Sequence, residues 1–334
     1  MIKYAIIGCG RIGERHAEQA SIKGRLIAVC DIIQEKADKL AAIYKTKAFY
    51  SLEELLNSRI DIDVVTVCTP NGMHAEHSIN ALNAGYHVLC EKPMAISSED
   101  CIKMITAAEK ASRLLIAVKQ NRYNPPVVAL KKVIDTNKLG EIYSIQLNCF
   151  WNRNNEYYKD SWHGSKEMDG GTLFTQFSHF IDLLYWMFGE LKQAEGFTAN
   201  FHHKNVIEFE DTGCFSILFD SGIIGTINYT VNSFDKNLEG SLTVFGEKGT
   251  VKVGGKYLDK LEYQLIEDYI IDELPESRKA NEYGLFSGSM SNHDKVYDNI
   301  NEVLVNNGKA TTSAYDAMKT VEFIESLYKA SKKI

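Results

Sequence analysis

The first 120 residues alternate between short apolar runs and longer segments with helical periodicity. A continuous apolar run predicts a strand that is buried on both faces, as in a parallel sheet between helices. Strands are predicted at Tyr4–Ile7, Leu26–Cys30, Val64–Cys68, His87–Cys90 and Leu114–Val118. Helices are predicted at about 14–23, 34–44, 75–84 and 99–112. Strands and helices that alternate in this way form a doubly wound α/β domain with a parallel sheet.

The pattern changes after Pro125 and Pro126, where a helix at about 127–136 precedes longer runs of β-branched and aromatic residues. These runs predict the strands Ile142–Phe150, Glu195–Phe201, Thr212–Phe219, Ile223–Val231, Ser241–Phe245 and Thr250–Val253. We therefore expect a C-terminal α/β domain built on an open, mostly antiparallel sheet, with helices on one face.

This change predicts two domains, one at residues 1–121 and one at residues 122–334. Closing helices are predicted at about 293–306 and 314–332, and the second of them could pack back on the first domain. A large bare sheet face seldom stays in water, so we expect the open sheet to pair with another copy of the chain. The predicted assembly is a homo-oligomer, either a dimer or a tetramer.

Composition excludes several classes of protein. Of the 334 residues, 45% are hydrophobic and 24% are charged, which excludes intrinsic disorder. The formal charge of −7 argues against general binding to nucleic acid, and no apolar run reaches membrane-spanning length. The seven cysteines show no metal-ligand spacing, so we predict buried thiols and no metal site. We expect a cytoplasmic protein without a membrane partner.

A glycine-rich motif, Gly8-Cys9-Gly10-Arg11-Ile12-Gly13, lies between the first predicted strand and the first predicted helix. In a dinucleotide-binding turn, the first glycine permits the tight turn and the second lets the backbone approach a pyrophosphate. The third glycine allows close packing of the helix, whose N-terminus attracts the phosphates. The motif alone is weak evidence, but its position between strand and helix predicts a nucleotide site.

An acidic residue at the end of the second strand refines this prediction. Asp31 lies 18 residues after Gly13, where a carboxylate accepts hydrogen bonds from the adenosine ribose. It would repel a 2′-phosphate, whereas Arg11 could bind one. The balance favours NAD over NADP as the cofactor.

Two further motifs follow the predicted strands Val64–Cys68 and His87–Cys90, at the sheet edge where ligands bind in this architecture. Thr69-Pro70-Asn71 follows the first of these strands, and Glu91-Lys92-Pro93 follows the second. Pro93 keeps Lys92 out of a helical conformation, so its ammonium is displayed at the strand end. Most lysines are solvated surface residues, but beside a cationic nicotinamide this one would release its proton more readily. We also expect His74 to border the cofactor.

The stretch after Asp169-Gly170-Gly171 is apolar except for a few polar residues. On a helix over 172–188, the residues Thr172, Thr175, Gln176, His179 and Asp182 would form one polar stripe. A polar stripe on a buried helix must face partners or a cavity. A core histidine with satisfied hydrogen bonds is the alternative, but the stripe and the two glycines favour a cleft-lining His179.

Together these motifs resemble the Gfo/Idh/MocA oxidoreductase family, and the resemblance spans nearly the whole chain. Its most specific parts are Glu91-Lys92-Pro93 and the segment from Gly170 through His179 to Asp182. Members join a Rossmann domain to an α/β domain with an open sheet, and use a nicotinamide to oxidise or reduce a sugar or cyclitol carbon. The resemblance implies that Lys92 contacts the reacting hydroxyl and that His179 is the acid/base.

Within the family, the chain is most similar to the UDP-N-acetylglucosaminuronate 3-dehydrogenases. The similarity rests on residues 119–125, 150–153 and 175–179, and on Tyr157, Tyr158 and Trp162. Those enzymes use NAD to oxidise the C3 hydroxyl of a nucleotide sugar during synthesis of surface polysaccharide sugars, and they form tetramers through the open sheets. Thr175 is a departure, because many family members carry an aspartate four residues before the histidine.

The sequence hypothesis assigns a role to each of these residues. Lys92 and His179 handle the hydroxyl proton, while Thr69-Pro70-Asn71, Glu91 and Gln120 hold the cofactor. The candidates for substrate binding are Lys92, Asn121, Arg122, Arg153, Tyr157, Trp162, Thr175, Gln176 and His179. Arginine suits a uronate carboxylate or a diphosphate, and aromatic rings suit a sugar or uracil, although aromatics beside a sheet are more often core.

Three other functions remain open at this point. The first is a dehydrogenase of inositol or a simple hexose, which would use the same chemistry without a nucleotide. The second is a glycosidase that oxidises its substrate transiently with NAD. The third is a non-enzymatic nucleotide sensor, against which the presence of both Lys92 and His179 argues.

Overall fold

The structure, a computed structural model, describes residues 1–282 and 287–334. These residues form two units, one of residues 1–119 with 293–321 and one of residues 120–292 with 322–334. A sheet of six strands underlies the first unit and a sheet of eight strands underlies the second. The predicted fold class, a doubly wound parallel sheet followed by a second α/β domain, is confirmed.

The sheet of the first unit is parallel throughout, with the strand order β3-β2-β1-β4-β5-β6. Its strands are β1 (Lys3–Ile7), β2 (Arg25–Cys30), β3 (Lys47–Phe49), β4 (Val64–Val67), β5 (His87–Cys90) and β6 (Leu115–Ala117). The helices between them are α1 (Arg11–Lys23), α2 (Gln34–Tyr44), α3 (Leu52–Asn57), α4 (His74–Asn83) and α5 (Ser98–Ala111). The strand order reverses between β1 and β4, so the carboxyl ends of these strands border the crevice that binds ligands in such sheets.

Burial explains why five of the six strands of the first sheet were predictable. All residues of β4 are buried, and so are the four residues of β1 after Lys3. The helices begin at recognisable caps, since Ser51 accepts a hydrogen bond from the Glu54 amide and Ser97 accepts one from the Asp100 amide, both at 3.1 Å. The local sequence and the burial pattern therefore favour the same elements.

The second unit contains the elements from residue 125 to residue 290. Its helices are α6 (Pro125–Asp135), α7 (Asn155–Tyr158), α8 (Thr172–Thr175) and α9 (Ser178–Phe188). Its strands are β7 (Ile142–Phe150), β8 (Leu191–Ala199), β9 (Thr212–Phe219), β10 (Ile224–Thr230), β11 (Glu239–Gly246), β12 (Gly249–Gly254), β13 (Lys260–Ile266), β14 (Ala280–Glu282) and β15 (Ser287–Met290). The last two form a separate two-stranded sheet.

Three elements close the chain, namely α10 (His293–Asn306), α11 (Ala314–Ala330) and β16 (Ser331–Lys333). Helix α10 and the beginning of α11 belong to the first unit, and the rest belongs to the second. The large sheet has the order β13-β12-β11-β7-β10-β9-β8-β16 and is mostly antiparallel, with parallel pairing of β7 with β10 and of β8 with β16. No helix in the described ranges combines the length and apolarity needed to cross a bilayer.

The two faces of the large sheet differ in chemistry. One face packs against aromatic residues of the α9 region, with the ring of Phe177 5.8 Å from that of Tyr229 and the ring of Phe188 5.7 Å from that of Phe219. The other face exposes apolar side chains, including Ile224 at 57% and Leu265 at 67%. These two residues share one row across the sheet, because β10, β7, β11, β12 and β13 pair in continuous register there.

Several elements differ from the sequence expectation. The predicted helix over 172–188 is broken at Gln176 and Phe177 into α8 and α9, so its polar residues do not form one continuous stripe. The break lets the fully buried ring of Phe177 lie 5.2 Å from the Trp151 ring. The strands β3, β13, β14, β15 and β16 were not predicted.

Candidate active site

The glycine-rich turn after β1 has the geometry that a dinucleotide requires. Gly8 has φ +91°, and a Cβ there would lie 2.6 Å from the Cys68 carbonyl oxygen. A Cβ on Gly13 would lie 1.9 Å from the Gly8 carbonyl oxygen, so only glycine allows α1 to approach the turn. A Cβ on Gly10 would meet no atom within 4 Å, which leaves open space where a pyrophosphate would approach.

The N-terminus of α1 and the Asp31 carboxylate complete this part of the site. The first hydrogen bond of α1 runs from the Glu14 amide to the Gly10 carbonyl oxygen at 3.0 Å. The N–H groups of Arg11, Ile12 and Gly13 precede this bond at the N-terminus of the helix, where N–H groups can bind an anion. Asp31 accepts hydrogen bonds from the Cys9 amide at 2.7 Å and from the Ile33 amide at 2.8 Å, which hold its carboxylate beside the turn. These residues fit the adenosine and pyrophosphate parts of NAD.

The thiol in this turn is a structural group. Cys9 is buried, and burial, assisted by the nearby Asp31 charge, raises the pKa of its thiol to about 12. A thiolate nucleophile is therefore unavailable at neutral pH. Cys30, Cys68 and Cys90 are also buried, as the sequence predicted.

The segments after β4 and β5 contain the motifs predicted to hold the nicotinamide end. The Lys92–Pro93 peptide bond is cis, and Lys92 is half-buried. The Glu91 carboxylate accepts a hydrogen bond from the Lys92 amide at 3.0 Å and is itself buried. The backbone that carries Lys92 is thus held by the carboxylate of its own neighbour.

Glu91 lies in a buried polar cluster that the sequence analysis missed. Its Oε1 lies 2.7 Å from His16 Nε2 and 3.5 Å from His293 Nε2, and His16 Nδ1 lies 3.1 Å from the Tyr297 hydroxyl. Burial would raise the pKa of Glu91, but the two histidines hold it well below its ordinary value. Burial also lowers the pKa of His16.

The residues His16, Glu91 and His293 have the composition of a metal site, with ligand atoms within 4.8 Å of one another. Two ligands of one zinc ion, each at about 2.1 Å in tetrahedral geometry, lie about 3.4 Å apart. The separation of 2.7 Å between His16 and Glu91 is that of a hydrogen bond instead. We therefore interpret the cluster as a hydrogen-bonded network that holds Glu91.

In the second unit, the turn at 120–123 is fastened to α9 by two polar contacts. Gln120 Nε2 lies 3.1 Å from His179 Nε2, and both side chains are buried. Arg122 donates two hydrogen bonds of 2.8 Å to the Asp182 carboxylate, and both members of this ion pair are buried. Its guanidinium also lies 5.0 Å from the Trp186 ring. These contacts hold the His179 ring in place and give Arg122 a structural role that the sequence did not reveal.

Three of the predicted substrate residues form one connected group. Arg153 Nε donates to Gln176 Oε1 at 2.8 Å, and Gln176 Nε2 donates to the Tyr157 hydroxyl at 2.8 Å. The Arg153 guanidinium lies over the ring of Trp151 at 5.0 Å and over the ring of Tyr157 at 5.3 Å. Burial lowers the pKa of Arg153, although its ordinary value is so high that it stays charged.

Aromatic rings continue from this group towards the surface. The ring of Tyr157 lies 4.6 Å from that of His163, and the half-buried Trp162 stacks on His163 at 3.9 Å. A stacked pair of this kind presents a flat apolar face to a sugar or base.

Thr175 replaces a carboxylate in sequence, but a carboxylate lies beside it in the structure. Its hydroxyl donates to the Asp169 side chain, which also accepts a hydrogen bond from the Gly164 amide at 2.9 Å. Asp169 is buried. Asp169, six residues earlier in the chain, therefore places a carboxyl group beside Thr175.

Two neighbouring amides in the second unit contain buried polar atoms without a hydrogen bond among the described residues. They are Oε1 of Gln120 and both amide atoms of Asn121. Leaving a buried polar group unsatisfied costs about 1–3 kcal/mol, so such groups usually have a partner in the working state of a protein. Both residues were predicted from the sequence to bind ligands, and their environment fits that prediction.

The comparisons with known proteins agree with this geometry. Residues 2–119 match the Gfo/Idh/MocA oxidoreductase family with its NAD-binding Rossmann fold, and residues 127–252 match the Gfo/Idh/MocA C-terminal domain. The chain belongs to the Gfo/Idh/MocA oxidoreductase family. The matched family consists of oxidoreductases with an NAD-binding Rossmann fold, and the turn after β1 fits NAD, so the chain is an NAD-dependent oxidoreductase.

Individual relatives narrow the comparison. The WlbA dehydrogenase from Bordetella pertussis, crystallised with NADH and UDP-GlcNAcA, is 32% identical with a TM-score of 0.88, over 98% of this chain and 96% of that one. The 2,7-anhydro-N-acetylneuraminate hydratase of Escherichia coli is 30% identical over 76% of this chain and 68% of its own length. Glucose-6-phosphate 3-dehydrogenase of Bacillus subtilis is 34% identical over 56% of this chain and 54% of its own length.

Proposed function

We propose that this protein oxidises the C3 hydroxyl of UDP-N-acetylglucosaminuronate with NAD, in the synthesis of surface polysaccharide sugars. The observation that carries this proposal is the similarity to the Bordetella dehydrogenase, which extends over both units and not over the NAD-binding domain alone. That enzyme was crystallised with UDP-GlcNAcA. The C-terminal unit contributes the substrate residues in our hypothesis, so similarity there bears on the substrate.

The side chains of the second unit support a large polar substrate. Asn121 and Gln120 offer buried donor and acceptor groups, which sugar hydroxyls, an acetamido group or a carboxylate could satisfy. Arg153 is a charged group that suits a uronate or a diphosphate. Trp162, stacked on His163, offers a ring face for a sugar or uracil.

The residues of the chain account for the proton part of the reaction. Bound NAD would supply the acceptor for the hydride that leaves the carbon of the alcohol. His179 accepts the hydroxyl proton, and Gln120 keeps the imidazole oriented through the 3.1 Å contact. Lys92 donates a hydrogen bond to the hydroxyl oxygen and stabilises the negative charge that develops there. The hydrogen bond from the Lys92 amide to Glu91 fixes the backbone that carries the ammonium.

A reaction without net oxidation is the second candidate. The Escherichia coli relative is a hydratase, and adding or removing water leaves the overall oxidation state of a substrate unchanged. Such a protein would still bind NAD but would release no NADH during turnover.

The decisive experiment compares substrates on the NAD-loaded protein. UDP-N-acetylglucosaminuronate, glucose 6-phosphate and inositol are each supplied, with and without a 2-oxo acid that could reoxidise a tightly held NADH. We expect only the nucleotide sugar to give NADH and a product lighter by two hydrogen atoms, and Lys92→Met to form both about 10²–10⁴-fold more slowly. Equal turnover of glucose 6-phosphate or inositol would contradict the proposed substrate, and turnover without either NADH or an oxidised product would favour the hydratase class.

A further inference from the structure

His74, the first residue of α4, connects the two segments that follow β4 and β5. Its side chain is only 1% exposed. Nε2 lies 2.9 Å from the Thr69 carbonyl oxygen, and Nδ1 lies 2.7 Å from the Pro93 carbonyl oxygen. One imidazole ring therefore spans the two segments that the sequence predicts to hold the nicotinamide end of the cofactor.

The two partners of this ring determine its protonation. A carbonyl oxygen can only accept a hydrogen bond, so each ring nitrogen must donate. A neutral imidazole has one N–H group, whereas the imidazolium has two. Both contacts are therefore hydrogen bonds only when His74 carries a positive charge. In the neutral ring, one bare nitrogen would face a carbonyl oxygen, and that contact would be repulsive.

His77 provides a contrast on the same helix. Its Nδ1 lies 3.0 Å from the Thr69 hydroxyl, which can donate or accept, so a neutral ring satisfies this contact. His77 touches the same segment as His74 but requires no extra proton.

Charged and titratable groups around His74 shift its pKa in both directions. Burial lowers the pKa of His74 from its ordinary value, while the Pro93 and Thr69 carbonyls and the Glu91 carboxylate oppose that effect. The Lys92 ammonium adds to the lowering, and the nearby His77 shares α4. Burial is the largest of these effects and the pKa is lowered overall, so the ring loses its second proton at a lower pH than an ordinary histidine does.

We propose that His74 is a positioning residue of the cofactor site, whose protonated ring ties the Thr69 segment to the Pro93 segment. When the ring loses a proton, one of the two hydrogen bonds is lost, and one segment is released from the other. Affinity for NADH then falls. This inference rests on the predicted cofactor role of these segments and is independent of the sugar.

The protonation state can be observed directly in the wild-type protein. Nitrogen-15 spectra of protein labelled at histidine, recorded between about pH 5 and pH 8, distinguish a ring with two N–H groups from a ring with one. The His74 signals are assigned by their loss in His74→Gln. We expect both His74 nitrogens to carry protons at the acid end, with one proton lost on raising the pH. A singly protonated His74 throughout this range in the folded protein would overturn the proposal.

The functional experiment measures NADH affinity by fluorescence between about pH 5 and pH 8 for wild type, His74→Gln and the matched control His77→Gln. Losing one hydrogen bond from a charged donor is expected to weaken NADH binding by about tenfold across this range in wild type and in His77→Gln. Affinity in His74→Gln is expected to be low and nearly constant. If all three proteins show the same pH dependence, the hydrogen bonds of the His74 ring do not control NADH binding. If His74→Gln fails to fold, the comparison of wild type with His77→Gln still decides, because a wild-type affinity that does not fall with pH contradicts the proposal.

Discussion

Glu210 offers a sharp test of the electrostatics of the second unit. Its side chain is buried, and its Oε1 accepts hydrogen bonds from the Tyr328 hydroxyl at 2.7 Å and the Tyr229 hydroxyl at 3.1 Å. Burial raises the pKa of Glu210 from its ordinary 4.5 to about 7, which the two tyrosines only partly oppose. The folded protein thus holds this carboxyl group protonated in mildly acidic solution.

The magnitude follows from the two pKa values. Because the folded-state pKa is raised, the stability that Glu210 contributes is complete below the unfolded pKa of 4.5 and is lost as the pH rises through about 7. The two values differ by about 2.5, and each pH unit corresponds to about 1.4 kcal/mol, so the loss is about 3 kcal/mol. The substitution Glu210→Gln keeps the shape of the side chain and an oxygen that can accept from both tyrosines, but it removes the ionisation.

The assay is urea unfolding of wild type and Glu210→Gln between about pH 5 and pH 9 at one protein concentration. We expect similar unfolding free energies at pH 5 and an advantage of up to about 3 kcal/mol for the variant at pH 9. Glu208→Gln is the matched control, because Glu208 is exposed and lies two residues away. A difference between wild type and Glu210→Gln that stays constant with pH would refute the reasoning.

Three further predictions concern catalysis, cofactor choice and assembly. Lys92→Met and His179→Gln should each reduce turnover by about 10²–10⁴-fold while NADH binding, measured by fluorescence, persists; near-normal turnover in both would remove them from the mechanism. Asp31→Ser should weaken NAD binding and reduce the preference for NAD over NADP. An unchanged ratio of the NAD and NADP affinities would show that the carboxylate does not select the cofactor. The double variant Ile224→Glu with Leu265→Glu should convert the predicted oligomer to monomer in light scattering, and an unaltered mass would place any subunit contact elsewhere.

The sequence predicts an element of this fold where one local signal is strong. Strand β4 is recognisable because three of its four residues are valine, and all four are buried because helices cover both faces of its sheet. The three residues of β3 are too few for such a pattern. Strand β13 gives no clear signal either, since its residues Lys260–Ile266 mix polar and apolar side chains at the edge of the sheet, where burial is weak.

The candidate site also has parts that the sequence predicts and parts that it does not. The glycine turn and the segments after β4 and β5 are contiguous motifs, so the sequence reveals them. The contact of Gln120 with His179 joins residues 59 positions apart, and the contact of Glu91 with His293 depends on how α10 returns to the first unit. Periodicity carries no information about such partners. His16 did give one signal, as a single histidine on the buried face of α1 beside Ala17 and Ala20.

The central claim is that a hydride leaves C3 of the nucleotide sugar for NAD. UDP-N-acetylglucosaminuronate deuterated at C3 is mixed with the NAD-loaded protein. The protein is then denatured to release the cofactor, and the mass of the cofactor is measured by mass spectrometry. The account predicts NADH that contains the deuterium, together with slower turnover than with unlabelled substrate. Unlabelled cofactor, with the deuterium still on the sugar or released to water, would contradict it.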